Sequence, residues 1–363
     1  MFAPKRYFAK WEFTAPHLLC CSDCEPLTLA ELLELADEDS KKRWRELRLG
    51  YTETRGLPVL PTGGIFLAMR ALLKPVDHVV VTYPGYQSLY QVALSMGCQV
   101  DRWEAELAED GGARFDVGAF KALLRPTTRL VVVNFPHNPT GALPSAHEWG
   151  QLVEACRGVD AVLFSDEMYR QMVFPCCQVF GLPGLRIGWL AVQPPLYDVL
   201  SRVAELKDWT TICNSAPSEV LALMALRARE AILHRNLSIA RANLAELEGF
   251  MARHEGVFRY RPPPAGSVAF PRLAPRVHMS LADGKGKESE EQQSQEEEEG
   301  VEAFCDRVVG SCGVLLLPGT VYDHPPSAAR RHFRLGLGRR SLPQCLEVLE
   351  GFLAGEGDRG EAR

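Results

Sequence analysis

Arg129-Leu-Val-Val-Val-Asn-Phe-Pro-His-Asn-Pro-Thr-Gly141 decides how this chain is read. Its first six residues form a short apolar run closed by a turn rich in Pro, Asn and Gly, which predicts a buried strand over Arg129–Asn134. Working outward, His78–Tyr83, Ala161–Ser165 and Arg186–Val192 read as further strands. Ile65–Leu73, Ser88–Ser95 and Ser145–Cys156 read as the helices between them. Strand–helix alternation predicts an α/β fold, a mixed and mostly parallel sheet sandwiched by helices. Before it lie an arm and a helix at Thr28–Leu35, which Asp37–Ser40 interrupts. After it, apolar spacing predicts one long helix over Ser218–Phe250, linking to a smaller α+β module. That module has strands at Ser267–Phe270, Gly313–Leu317 and Phe333–Leu337 and a closing helix at Leu342–Leu353.

The implied organisation is an arm with part of a small domain (1–55), a large domain (56–235) and a small C-terminal domain (236–363). The stretch 282–300 carries seven Glu, one Asp and two Lys and reads as a solvated, disordered insertion. It accounts for the whole formal charge of −6, so the rest of the chain is balanced and offers no basic surface for nucleic acid. Apolar residues at 46% exclude a disordered or collagen-like chain. No run approaches the twenty or so apolar residues that a membrane-spanning helix requires. The eleven cysteines have neither paired C-x-x-C nor zinc-like His spacing, so no metal site is expected and the thiols read as reduced. With no apolar leader after Met1–Ala3, the expected location is cytoplasmic.

Four segments bear chemistry. Asn134–Gly141 and Ser165-Asp-Glu-Met-Tyr169 each follow a strand; Phe180-Gly-Leu-Pro-Gly-Leu-Arg-Ile-Gly-Trp189 and His332-Phe-Arg-Leu-Gly-Leu-Gly338 supply guanidinium groups. Alone, Asn-Pro-Thr-Gly is a common turn, and an Asp at a strand end is a common helix cap. Open α/β sheets bind ligands beyond the carboxyl ends of their strands. An amide, a carboxylate, a phenol and an arginine gathered there suit a phosphorylated aromatic cofactor.

In these four segments together the chain resembles the class I/II aminotransferases, the pyridoxal-phosphate-dependent enzymes of fold type I. The resemblance runs from Tyr7-Phe-Ala-Lys-Trp-Glu-Phe13 to the final helix. It implies pyridoxal 5'-phosphate as cofactor and transfer of an amino group from an amino acid to a 2-oxo acid. A homodimer is implied too. By resemblance, Asn138 and Tyr169 hold the ring oxygen, Asp166 pairs with the pyridine nitrogen, and Tyr86 stacks on the ring unless it is a core tyrosine. Arg186 grips the phosphate, with Thr62, Gly63 and Gly64 as the remaining candidates for a backbone cradle. Tyr51 reaches the phosphate of a neighbouring subunit. Arg334 forks onto a substrate carboxylate, a geometry lysine cannot copy.

The chain departs from the family at the lysine that forms a Schiff base with the cofactor. Eight residues before Arg186 stands Gln178, in Pro175-Cys-Cys-Gln178. A glutamine amide is neither nucleophile nor base near neutral pH. Lys207, in Glu205-Leu-Lys-Asp-Trp209, reads as a helix surface residue and no substitute. The stretches 166–178 and 56–65 are each shorter than the family's, lacking whole elements. Two explanations follow: a member that lost catalysis and retains a cofactor-binding or subunit-pairing role, or a chain whose natural message carries the missing pieces. The second is favoured, because the motifs flanking both gaps are intact. A third reading keeps the cofactor and changes the reaction to lyase chemistry or ring closure.

Overall fold

In the computed structural model, the structure describes residues 3–56, 64–169, 180–274, 300–322 and 328–361. Gly63, Gln178 and nearly all of the acidic stretch 282–300 lie outside the described residues. At the centre is a four-stranded parallel sheet in the spatial order Gln99–Glu104, His78–Tyr83, Thr128–Asn134, Val162–Asp166. The two inner strands are buried along nearly their whole length because each face is covered. Successive side chains of a strand point to opposite faces. Val79, Val81, Leu130 and Val132 therefore pack on one side with Leu67, Leu72, Leu89 and Val203 from three helices. Val80, Val131 and Val133 pack on the other with Trp103, Phe120 and Leu152. The α/β architecture expected from the sequence is the one observed.

A separate apolar core lies beyond the sheet. Phe250, Phe304, Val308, Leu346 and Leu349 of three helices enclose Phe333, Leu335 and Ala269 from a small antiparallel sheet. In that sheet Phe333–Gly336 sits between Leu317–Pro318 and Val268–Ala269. The arm from His17 to Glu25 threads across it. The Gly336 N–H donates to Leu19 O at 2.7 Å, and the Glu25 N–H donates to Gly338 O at 2.7 Å. The approach is so close that a Cβ at Gly336 would collide with the Cys21 carbonyl. The Gly-Leu-Gly at 336–338 thus serves backbone contact.

Several expectations change. Asp37 does not merely interrupt a helix: it caps a second one, Glu38–Arg45, by accepting from the Ser40 N–H. The long helix is two, Ala216–Arg227 and Arg229–Arg253, which meet at Ala228. Arg186–Val192 forms no strand. The described sheet ends at Val162–Asp166, and apolar alternation without a neighbouring strand leaves its backbone groups unpaired, so no ladder forms. Lys207 is 2% exposed, not a surface residue. It follows Val199 and Val203 at intervals of four along the helix Asp198–Asp208, which places it on that helix's buried side.

Candidate active site

The parallel register sets Asn134 opposite Asp166, so two polar residues end neighbouring strands at the same edge of the sheet. Asn134 ties that edge together. Its Nδ2 donates to the Asp166 carbonyl at 3.0 Å, and its Oδ1 accepts from the Asn138 N–H at 2.9 Å. The turn is thereby held over the end of the Asp166 strand. Asn138 Oδ1 accepts from Tyr322 Oη at 3.2 Å and from Arg334 Nη1 at 3.1 Å. Two donors on the oxygen fix the orientation of the amide and turn its Nδ2 hydrogens elsewhere. Among the described residues nothing takes them.

Arg334 is buried, and its guanidinium is held on two sides. Nε and Nη2 fork onto the Cys20 carbonyl at 3.1 and 2.8 Å, while Nη1 also donates to Tyr322 Oη at 2.8 Å. It stays charged, yet among the described residues no carboxylate pairs with it. Tyr169 is buried near Arg334, Tyr322 and Asp166. Burial pushes that phenol well above its usual range, so it remains a neutral donor. Tyr322 is pushed up to about 12 by the same cause. Desolvation raises the Asp166 carboxyl to about 6, against a lowering hydrogen bond from the Met168 N–H. Partly open to solvent at the strand end, it is a carboxyl whose ionised form awaits a cationic partner.

Of the residues singled out from sequence, Asn138, Asp166, Tyr169 and Arg334 come together. Tyr86 follows the strand His78–Tyr83 at this same edge and is 47% exposed, so it is no core tyrosine. Its loop lies beside His137, whose imidazole burial holds near 3 and therefore neutral. Arg186 is not joined to the cluster: it is exposed, and its Nη1 donates to Pro183 O at 3.1 Å. Gly64 opens the helix Gly64–Leu72, and a Cβ added there would meet no atom of the described residues within 4 Å. Tyr51 stands 89% exposed. Sequence reasoning missed Tyr322, which sits on a short 3-10 turn with no motif to mark it. It quoted Asn134 without seeing that its side chain clamps both strand ends.

The described donor set fits the ring of a substituted pyridine. It has a carboxyl for a ring nitrogen, an amide and a phenol for a ring oxygen, and a buried guanidinium without a carboxylate close by. Such a constellation at the carboxyl edge of a parallel sheet has the chemistry to receive a ring of the vitamin B6 class. The pattern of the family described as aminotransferase class I and II matches residues 61–179. Capreomycidine synthase of Streptomyces vinaceus is 30% identical over 277 residues, covering 71% of this chain and 64% of that protein. A pyridoxal-phosphate-dependent aminotransferase from Streptococcus suis superposes with a TM-score of 0.81 at 27% identity, covering 97% of each chain. The pyridoxal-phosphate-dependent cyclase OrfR superposes with a TM-score of 0.78 at 27% identity, over 98% of this chain and 97% of that one. This chain belongs to the class I/II aminotransferase family and has its fold type I architecture, that of enzymes dependent on pyridoxal 5'-phosphate. It spans roughly half to two thirds of the length of the first curated relatives it matches. Among the described residues no helix is long and apolar enough to cross a membrane, and no side-chain cluster suits a metal ion.

Proposed function

We propose that this protein binds pyridoxal 5'-phosphate and serves amino-group transfer from an amino acid to a 2-oxo acid. The buried Arg334, fixed by Cys20, Tyr322 and Asn138 and without a carboxylate partner among the described residues, carries this reading. A buried guanidinium is costly unless an anion or strong acceptors satisfy it. The α-carboxylate that every amino acid and 2-oxo acid shares is the anion that suits it.

When bound, the pyridinium ring supplies an electron sink for the substrate's α-carbon. Asp166 holds the proton on the ring nitrogen. Its carboxyl, raised by burial, ionises once that cation stands beside it. Asn138 Nδ2 and the neutral Tyr169 phenol donate to the ring oxygen, Tyr86 covers the ring face, and Gly63 and Gly64 serve the phosphate, which Arg186 reaches only by leaving its contact with Pro183 O. Tyr51 extends to the phosphate of a second copy, making the working form a homodimer. Residues 1–55 serve as its arm and part of the small domain, 56–235 as the large cofactor-binding domain and 236–363 as the small C-terminal domain.

Gln178 supplies no amine, so the chain holds the cofactor reversibly, and transfer belongs to a form with lysine at that position. Gln178→Lys tests this. With amino donors and 2-oxo acids the variant gains turnover that the parent lacks, and Arg334→Lys in that background raises KM about tenfold or more. No turnover in Gln178→Lys, with cofactor bound, contradicts the assignment of position 178. A second reading, ring closure on an amino acid, is favoured by the likeness to the cyclase OrfR. It predicts a cyclised product with no 2-oxo acid consumed.

A further inference from the structure

Tyr51 stands on a segment with no helix or strand of its own. Residues 51–56 form an irregular turn closed by the Gly56 N–H donating to Glu53 O at 2.8 Å. Among the described residues, two hydrogen bonds tie that turn to the rest of the chain, and both end in one small region. Thr52 Oγ1 donates to the Asn214 carbonyl at 3.0 Å, and Lys207 Nζ donates to the Thr54 carbonyl at 2.5 Å.

Lys207 is the centre of that region. Its Nζ also donates to Asn214 Oδ1 at 2.8 Å, and Asn214 Nδ2 donates to Glu219 Oε1 at 2.5 Å. Ammonium, amide and carboxylate thus stand in a row, and Lys207, Asn214 and Glu219 are all buried. A buried ammonium is tolerated only when its donors are satisfied and its charge is matched, and Glu219 matches it through the amide. The row has one orientation, because the amide must face its oxygen to the lysine and its nitrogen to the glutamate. The Lys207 carbonyl meanwhile accepts from the Thr210 and Ile212 N–H groups at 3.0 and 2.9 Å, winding the turn 209–214 around the same residue.

We propose that Lys207 is a positioning residue, whose ammonium staples the segment carrying Tyr51 to the turn at Asn214 and so sets where Tyr51 stands. The reading that Tyr51 serves the phosphate of a second copy underlies its functional consequence. The staple itself depends only on the contacts above. Lysine suits this role because its slender stem carries the charge along the buried side of a helix to a backbone carbonyl 153 residues away in sequence. A methionine fills the same volume without the bonds.

Hydrogen exchange on the full chain is the test. Lys207→Met is expected to speed exchange of backbone amides in 51–56 about tenfold, the loss of one charge-assisted bond, while the strand Thr128–Asn134 keeps its protection. Unchanged exchange in 51–56 overturns the proposal. So does a gain spread evenly over the chain, which marks general destabilisation. Should Lys207→Met fail to fold, Thr52→Val removes the other stitch without touching the buried charge. A rise of about threefold confined to 51–56 is then expected, and none overturns the proposal. Lys207→Arg, which keeps charge and donors, should restore most of the protection. Equilibrium titration with pyridoxal 5'-phosphate gives the functional arm. Lys207→Met should weaken binding no further in a Tyr51→Phe background, and additive losses contradict action through Tyr51. If Tyr51→Phe alone leaves affinity unchanged, the reading of Tyr51 fails, and the exchange result still decides the staple.

Discussion

Thr128–Asn134 and Arg186–Val192 read alike in sequence and fare differently in the fold. The first is flanked by strands on both sides, its apolar residues divide between two cores, and its end delivers Asn134 and Asn138 to the site. The second has no strand to bond among the described residues, runs irregularly, and leaves Trp189 52% exposed and Arg186 turned onto its own backbone. A strand is a property of the edge it meets as much as of its own residues.

The largest test of this contrast sets Leu130→Ala against Trp189→Ala. Leu130 is fully buried, so its truncation should cost about 3 kcal/mol in urea unfolding. Trp189→Ala should stay within about 0.5 kcal/mol. Equal losses would mean that 186–192 is a packed strand after all. Gly336→Ala comes next, at about 2–3 kcal/mol, because the new methyl must displace the Cys21 carbonyl and, with it, the arm that holds Arg334. A cost near zero would show that the arm floats free of the small sheet. Asn134→Ala should cost about 2 kcal/mol by stranding the buried Asn138 N–H and the Asp166 carbonyl. Full stability there would mean that Asn134 clamps nothing.

The smallest effect is in pH. Asp166 is raised to about 6 in the fold, above its unfolded value, so the folded chain binds the extra proton. Stability from this group is therefore complete below about pH 4 and is lost as pH climbs through about 6. Asp166→Asn should flatten that stretch of the urea-midpoint profile. An unaltered slope between those values would show that Asp166 is not the group responsible.

Much of the fold and of the candidate site is legible in the sequence, for physical reasons. His78–Tyr83 and Thr128–Asn134 declare themselves because central parallel strands must be apolar on both faces. Asn138, Asp166, Tyr169 and Arg334 sit in motifs whose combination is specific, and they do converge. Lys207 misleads because its charge argues for the surface, while the spacing of Val199, Val203 and Lys207 along one side of their helix argues, correctly, for burial. Tyr322 leaves no local trace, because its place depends on a short turn docking between two regions far apart in sequence. The glycines at 336 and 338 answer to a backbone arriving from residues 19–25, an approach that no local pattern encodes.

The most direct test of the site is titration of the purified chain with pyridoxal 5'-phosphate, followed by absorbance, alongside Asp166→Ala. One saturable, dialysable equivalent per chain is predicted, weakened about tenfold or more in the variant as the ring nitrogen loses its charged partner. No saturable binding, or equal binding by the variant, would contradict the assignment of this strand edge as the cofactor site.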